Sequence, residues 1–231
     1  MAKILFIMTS SDAWTLKDGS KWAGGYWAEE AVVPFEVFKA AGHEITIATP
    51  GGVVPPVNPV SLTPEPAGGE ARAARMREVI DTAPELAKPV DLADVDLSGF
   101  DAVFVPGGNG PMEDLAYDAD AGRLVTQALT GGTPLGMVCH GPASVLTAPT
   151  ENGSHPFAGY RITSFTNAEE QLIGPGDKAK WLLQDRLTEA GIAVIAGEPF
   201  APHIEVDRNV VTGQNPASSG PAAEALLEQL A

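Results

Sequence analysis

Short uninterrupted apolar runs alternate along the chain with stretches whose apolar residues recur at helical spacing. The first pattern predicts buried strands and the second predicts amphipathic helices. Their alternation indicates an α/β fold, with a mostly parallel sheet covered by helices on both faces. Neither a repeat nor a linker divides the chain, so we expect a single domain, residues 1–231. The predicted strands are 3–8, 44–48, 102–105, 135–138, 161–165 and 193–195 with a hairpin at 204–212, and the predicted helices are 28–41, 70–86, 118–130, 178–190 and 221–230.

Two stretches follow neither pattern. The loop between the first predicted strand and the first predicted helix holds three of the four tryptophans, which favours a pocket lining or, equally, a packed surface flap. Residues 50–69 contain six prolines and four glycines, too many for a regular element, and predict a long loop.

Cys139 stands at a predicted strand-to-helix turn. The apolar run 135–138 ends there, and Gly141 and Pro142 lead into a helix-compatible run. Such a turn, a nucleophile elbow, lifts one side chain clear of the sheet at a helix N-terminus. Because the helix dipole favours a thiolate, we expect a lowered pKa for the Cys139 thiol and a reactive nucleophile. The alternative, a small buried hydrophobic residue, is the weaker interpretation at this position.

Composition excludes several classes of function. The chain has 14 Lys and Arg against 30 Asp and Glu, and this net charge of −16 repels phosphate backbones and anionic lipid. We therefore expect no nucleic-acid partner and no membrane partner. The one cysteine allows no intrachain disulfide, which fits a reducing cytoplasm. No apolar run reaches the roughly 18 residues of a membrane span.

Glu30 is a candidate partner for the thiol. It follows the aromatic loop, in the first turn of the predicted helix 28–41. Active sites of such folds lie at the carboxyl ends of the strands, so this turn and Cys139 should converge there. A carboxyl beside the thiol would share its proton and act as a general base. Spacing alone favours a solvent-facing acid at a helix N-terminus, and it does not choose between Glu29 and Glu30.

Further candidates surround the turn. Gly107 and Gly108 lack side chains, so their N–H groups and that of His140 are candidates for an oxyanion hole, although tight turn geometry explains the glycines equally well. His140 completes a triad-like set if Glu169 or Glu170 orients it. Because consecutive side chains do not normally meet, we expect His140 to serve the acid and the fold more than the thiol. The histidine spacing predicts no metal site.

Several motifs together resemble the ThiJ/PfpI superfamily, the class I glutamine amidotransferase-like fold. The Cys-His-Gly-Pro motif, a Phe-Thr-x-x-x-Glu pattern and Thr-Gly-x-Asn-Pro-x-Ser are similar to its branch of glutathione-independent glyoxalases and holding chaperones. Asn109 departs from the family's Gly-Gly-His-Gly turn, which would alter substrate contacts. The matching segments are residues 25–30, 34–35, 48–52, 105–110, 139–142, 165–170 and 211–219.

The resemblance implies a flavodoxin-like three-layer sandwich, assembled as a cytoplasmic, stress-related homodimer. It implies Cys139 as nucleophile, Glu30 as its general acid/base, and His140 with Glu170 as the rest of a triad-like set. The implied activity is that of a cofactor-independent glyoxalase III-type lyase, a D-lactate dehydratase. Such an enzyme converts methylglyoxal or a similar small 2-oxoaldehyde to a 2-hydroxy acid through a Cys139 hemithioacetal, without metal, nucleotide or glutathione.

Three other functions fit the same residues. A cysteine hydrolase, either a peptidase or an amidase, would use the same nucleophile, but the bulky aromatic loop favours a small closed pocket over a peptide groove. A holding chaperone would expose an apolar patch on the order of several hundred Å². A redox sensor would oxidise the thiol to a sulfinic acid.

Overall fold

The computed structural model describes residues 1–150 and 153–230. The strands are β1 (Lys3–Ile7), β2 (Ala13–Thr15), β3 (Lys21–Ala23), β4 (Glu44–Thr49), β5 (Val90–Asp91), β6 (Ala102–Val105), β7 (Leu135–Val138), β8 (Arg161–Ile162), β9 (Ala193–Val194), β10 (Ile204–Asp207) and β11 (Val210–Gly213). The α-helices are α1 (Ala28–Ala40), α2 (Pro64–Ala67), α3 (Glu70–Thr82), α4 (Pro84–Ala87), α5 (Ala119–Gly131), α6 (Asn167–Ile173), α7 (Leu183–Glu189) and α8 (Ser219–Gln229).

A seven-stranded sheet lies at the centre, in the order β10-β11-β7-β6-β1-β4-β5. Neighbouring strands from β11 to β5 are parallel, and β10 pairs antiparallel with β11 as the predicted hairpin. The mostly parallel α/β fold of flavodoxin type is therefore confirmed. Because β1, β6 and β7 are adjacent, the loops that follow their carboxyl ends meet at the middle of one sheet edge.

Helices cover both faces of this sheet. Successive residues of β1 point to opposite faces: Ile4 and Phe6 pack in the cluster that includes side chains of α1 and α8. Leu5 and Ile7 pack on the other face, with side chains of α5 and α7. Side chains on both faces of β1 are thus buried, which explains why the sequence of such a strand is an unbroken apolar run.

Several predicted boundaries differ from the structure. Residues 50–69 are not only a loop, because they hold α2 and two 3-10 turns in which proline takes a first-turn position. The predicted helix 70–86 is divided at Ala83, since Pro84 has no N–H to continue a helix. The predicted strand 161–165 shortens to β8, and the predicted helix 178–190 shortens to α7.

Several elements were absent from the sequence prediction. The aromatic loop contains the antiparallel pair of β2 and β3. Helix α6 begins at a capping box, in which the Thr166 side chain and the Glu169 carboxylate each bind the other's backbone N–H. The Thr-x-x-Glu spacing of residues 166–169 was the available signal for this helix. In the described part of the chain, none of the helices has the length and apolar character that crossing a bilayer requires.

Candidate active site

Cys139 directly follows β7 in a left-handed backbone conformation, with φ of 57°. This conformation is unfavourable for a residue with a Cβ, and neighbouring segments hold it in place. The Cys139 N–H donates to the Gly213 carbonyl at 2.8 Å, and the Cys139 carbonyl accepts from the Phe165 N–H at 2.9 Å. The strand and sharp turn are present as predicted, but the helix that follows is a 3-10 helix of seven residues, Gly141–Thr147.

A chain of three buried side chains starts at this turn. Cys139 Sγ lies 3.3 Å from His140 Nδ1, and His140 Nε2 lies 2.9 Å from Glu170 Oε2. The expectation that His140 does not meet the thiol is wrong, because the left-handed φ of Cys139 brings the two consecutive side chains together. Of the two downstream acids, Glu170 contacts the histidine.

Glu169 has a different environment. Its side chain is fully buried, and both carboxylate oxygens are occupied by donors from three segments. One oxygen accepts from the Thr166 N–H and hydroxyl at 2.9 and 2.8 Å. The other accepts from the Phe200 N–H at 2.8 Å and from Asn215 Nδ2 at 2.9 Å. Glu169 therefore joins these segments and has no oxygen left for His140.

We expect Glu169→Ala to lower the free energy of unfolding by roughly 3 kcal/mol, because it leaves several buried donors without an acceptor. Urea unfolding measures the change. Glu224→Ala, at an exposed position of α8, is the matched control and should stay within about 0.5 kcal/mol of wild type. Equal losses for the two variants would contradict this role of Glu169.

Glu30 lies in the first turn of α1 and is fully buried. Its Oε2 accepts from the Gly107 N–H at 2.8 Å, whereas its Oε1 has no hydrogen-bonding partner in the described residues. Glu29 instead binds Arg72 at 2.8 Å near the surface. The solvent-facing position that spacing favours is thus wrong for Glu30, whose carboxyl interacts with the Cys139 thiol. Spacing along the helix does not distinguish Glu30 from Glu29. The two differ because the turn after β6, which contains Gly107, lies close to Glu30.

The structure gives Gly107 a different role from the predicted oxyanion donor, because its N–H is already bound to Glu30. A Cβ on Gly107 would lie 2.7 Å from Glu30 Oε2, so the glycine makes room for the carboxyl. The Gly108 N–H faces the Cys139 thiol, and the His140 N–H has no acceptor within the described residues. These two N–H groups are the candidates that remain for an oxyanion hole. Asn109 Nδ2 donates to the Ala23 carbonyl at 3.1 Å, which ties this turn to β3.

Burial dominates the electrostatics of the thiol and the carboxyl. It raises the pKa of the Cys139 thiol, and the nearby Glu30 carboxylate raises it further. The predicted lowering of this pKa is wrong, because the loss of hydration outweighs the dipole of a short 3-10 helix. Burial also raises the pKa of Glu30 to about 8, although hydrogen bonds with the Cys139 thiol and the Gly107 N–H oppose the shift. The pair of Glu30 and Cys139 therefore loses its first proton near pH 8.

This raised pKa should make stability depend on pH. The Glu30 pKa of about 8 in the folded chain exceeds the ordinary 4.5, so the folded state holds this proton more tightly. The contribution is favourable below the ordinary pKa and is lost as the pH rises to about 8. Glu30→Gln should therefore gain stability relative to wild type between about pH 5 and pH 8, on the order of 4 kcal/mol.

Urea unfolding across this pH range measures the difference between the variant and wild type. Glu36→Gln, one to two turns further along α1, is the matched control because its carboxylate pairs with Arg75 at the surface. It should follow the wild-type pH dependence. A Glu30→Gln curve that runs parallel to wild type would exclude the buried proton on Glu30.

A cavity of about 780 Å³ opens onto the thiol. Cys139, His140, Glu30, Glu170, Gly108 and Asn109 line it, and Gly107 does not. Trp22 and Trp27 also line the cavity, whereas Trp14 and Tyr26 are buried in the two cores, so the aromatic loop forms only part of the wall. The volume exceeds the small closed pocket that the sequence favours. Among the described residues, no three His, Cys, Asp or Glu side chains are grouped to hold a metal ion.

Sequence reasoning missed the apolar part of this wall, to which Ile173 and Phe200 belong. It also gave no role to Asn215, which stands in the Thr-Gly-x-Asn-Pro-x-Ser motif. Asn215 lines the cavity, and its side-chain amide binds Glu169. That motif was the available signal for Asn215. Nothing in the spacing of Phe200 pointed to the site.

A family model matches most of the chain. The model of the DJ-1/PfpI family covers residues 23–229 of this chain. The chain belongs to the DJ-1/PfpI family. The resemblance to ThiJ/PfpI proteins on which the sequence interpretation drew is therefore confirmed.

Relatives in this family carry the names of enzymes. The protein/nucleic acid deglycase HchA of Pseudomonas aeruginosa is 30% identical over 247 residues, which cover 99% of this chain and 82% of the relative. The structure of glyoxalase III from Candida albicans has 28% identity and a TM-score of 0.84, covering 99% and 97% of the two chains. The rapid encystment protein REP24 of Francisella tularensis has 25% identity, a TM-score of 0.87 and full coverage of both chains. Proteins named glyoxalase and deglycase thus share this family and fold.

Proposed function

We propose that this protein is a glutathione-independent glyoxalase that converts small 2-oxoaldehydes to 2-hydroxy acids. The observation that carries the proposal is the pairing of Cys139 with Glu30. The Gly107 N–H holds one oxygen of this carboxyl, and the carboxyl interacts with the Cys139 thiol. A carboxyl of raised pKa, fixed by one oxygen beside a thiol, suits repeated proton transfer at a carbon bound to that sulfur.

The first step joins the thiol to the aldehyde. In the singly deprotonated pair, the Glu30 carboxylate takes the thiol proton as Cys139 Sγ forms a bond to C1 of the substrate. The aldehyde oxygen then receives that proton, which gives a hemithioacetal. The N–H groups of Gly108 and His140 would stabilise the developing charge on this oxygen.

The second step is an internal redox reaction between C1 and C2 of the substrate. Glu30 takes the proton from C1 and delivers a proton to C2 through an enediol, and the hydroxyl proton passes from the oxygen on C1 to the oxygen on C2. C1 is thereby oxidised to a thioester, while the ketone at C2 is reduced to an alcohol. Water then cleaves the thioester, releasing the 2-hydroxy acid and the free Cys139 thiol. No external oxidant or reductant takes part.

His140 and Glu170 suit the hydrolytic step. The contact with Glu170 assigns the proton of His140 to Nε2, which leaves Nδ1 as an acceptor 3.3 Å from Cys139 Sγ. A water molecule attacking the thioester would give its proton to this nitrogen. We therefore assign His140 as the base of this step and Glu170 as the residue that orients it.

The direct test is the formation of D-lactate from methylglyoxal by the purified protein, with a chelator present and glutathione absent. We expect sustained turnover, because the mechanism uses only groups of the protein and water. Absence of turnover would reject the glyoxalase proposal and favour the cysteine hydrolase or the holding chaperone. Assembly as a homodimer stays a prediction, which sedimentation of the same sample tests.

The cavity favours deglycation as a second candidate. Its volume of about 780 Å³ leaves space beside a three-carbon aldehyde, and a relative of this chain is named a protein/nucleic acid deglycase. The net charge of −16 favours a protein adduct over a nucleic-acid adduct. A preformed adduct of methylglyoxal with N-acetylarginine distinguishes the two activities. Lactate released faster than the adduct dissociates by itself supports deglycation, and release at the dissociation rate supports action on the free aldehyde alone.

A further inference from the structure

The cavity has a polar floor and an apolar mouth. Cys139, Glu30 and Glu170 line the floor and are buried. At the mouth, Phe200 and Ile173 line the cavity while remaining 39% and 59% exposed. Large apolar side chains left partly exposed at the entrance of a reactive site are typical of surfaces that bind an apolar part of a ligand.

Phe200 has an unusual backbone conformation, with φ of 59°. A left-handed φ is a genuine outlier for a bulky residue, so other contacts must hold it. Its N–H donates to the Glu169 carboxylate at 2.8 Å, and the same oxygen binds the Asn215 amide at 2.9 Å. Because Glu169 is buried and has no unused oxygen, the interior of the protein holds the Phe200 backbone at this position.

Aromatic rings connect this side chain to the floor. The ring centroids of Phe200 and Phe165 are 6.4 Å apart, and those of Phe165 and His140 are 4.6 Å apart. Both separations lie within the range of attractive aromatic pairs. The apolar wall therefore runs without a break from the histidine beside the thiol to the mouth of the cavity.

We propose that Phe200, Phe165 and Ile173 form a subsite for the carbon substituent of a 2-oxoaldehyde. The preferred substrates are then 2-oxoaldehydes with an aryl or branched alkyl substituent, and methylglyoxal is turned over with a lower kcat/KM. The reactive carbonyls lie at Cys139, and the substituent lies along the aromatic wall toward the mouth. This inference rests on the proposed glyoxalase function.

The first test compares kcat/KM for phenylglyoxal, converted to mandelate, with kcat/KM for methylglyoxal, converted to lactate. We expect the wild type to prefer phenylglyoxal by about tenfold or more. Phe200→Ala should lower this preference about tenfold, because the loss falls mainly on kcat/KM for phenylglyoxal. Alanine keeps a Cβ at the left-handed position, so the variant removes the ring alone. Val206→Ala, at an exposed position of β10 outside the cavity, is the control and should keep the wild-type preference.

The second test does not need turnover. Iodoacetanilide and iodoacetamide alkylate the same thiol, and only the former carries a phenyl group. We expect wild type to favour iodoacetanilide and Phe200→Ala to lose most of that preference. If wild type converts neither aldehyde, the proposed function fails. The ratio of the two alkylation rates then tests by itself whether the subsite binds a phenyl group. Ratios that Phe200→Ala leaves unchanged overturn the subsite in either test.

Discussion

Cys139→Ala is expected to lower D-lactate formation from methylglyoxal by at least about a thousandfold. Without the sulfur no hemithioacetal forms, so Glu30 has no bound substrate on which to move a proton. The remaining residues of the cavity still bind the aldehyde but offer no covalent route. Initial rates at saturating methylglyoxal, with chelator present, measure the loss.

The variant should keep its fold, because alanine also carries a Cβ and adds no new strain at the left-handed position. Its thermal unfolding and circular dichroism check this point. Cys139→Ser gives a second comparison, with a poorer nucleophile in nearly the same volume. Turnover by a folded Cys139→Ala at a tenth of the wild-type rate or more would remove this residue from the mechanism.

Glu30→Gln is expected to abolish isomerisation, with a fall on the order of a thousandfold in kcat, while leaving the thiol open to iodoacetamide. The amide retains the shape of the side chain but accepts no proton from C1. Lactate formation and the rate of alkylation are measured on the same sample. Glu36→Gln, on the same helix with its carboxylate at the surface, should keep wild-type values of both.

The alkylation profile adds a second expected result for Glu30→Gln. The charge of the Glu30 carboxylate raises the pKa of the Cys139 thiol, so its removal lowers that pKa. Alkylation of the variant should therefore reach its plateau at a lower pH than alkylation of wild type. An unchanged profile would mean that the carboxyl and the thiol do not interact in solution. Wild-type turnover by Glu30→Gln would show that the general acid/base is another group.

The two variants separate two parts of the mechanism. Loss of both turnover and alkylation in Cys139→Ala identifies the nucleophile. Loss of turnover with retained alkylation in Glu30→Gln identifies the proton-transfer step that follows addition. A variant of Glu30 that lost alkylation as well would indicate that the Cys139 thiol cannot ionise without this carboxyl.

Much of the fold was accessible from local patterns. Residues of β1 are buried on both faces, and this double burial appears in the sequence as an unbroken apolar run. The turn at Cys139 was predictable because a strand, a cysteine, Gly141 and Pro142 follow one another directly. The hairpin of β10 and β11 was predictable for the same reason, since both strands and their turn are contiguous in the chain.

The elements that local patterns missed depend on distant contacts. Strands β2 and β3 have three residues each, and Asn109 ties β3 to the glycine turn. Helix α7 begins later than its apolar spacing indicates, at Leu183. Short elements such as these gain most of their stability from tertiary packing, so intrinsic propensity describes them poorly.

The sequence by itself determined the class of fold, the position of the turn that carries Cys139 and the set of acids that could lie near it. The tertiary structure alone decided which acids lie there: Glu30 and Glu170 reach the cysteine and the histidine, while Glu29 and Glu169 bind elsewhere. It also reversed the expected direction of the thiol pKa. The physical reason is that a pKa and a hydrogen bond depend on burial and on charges a few ångströms away. At this site the groups that interact belong to residues 30, 107, 139 and 170, most of which are far apart in the sequence and meet only in the folded chain.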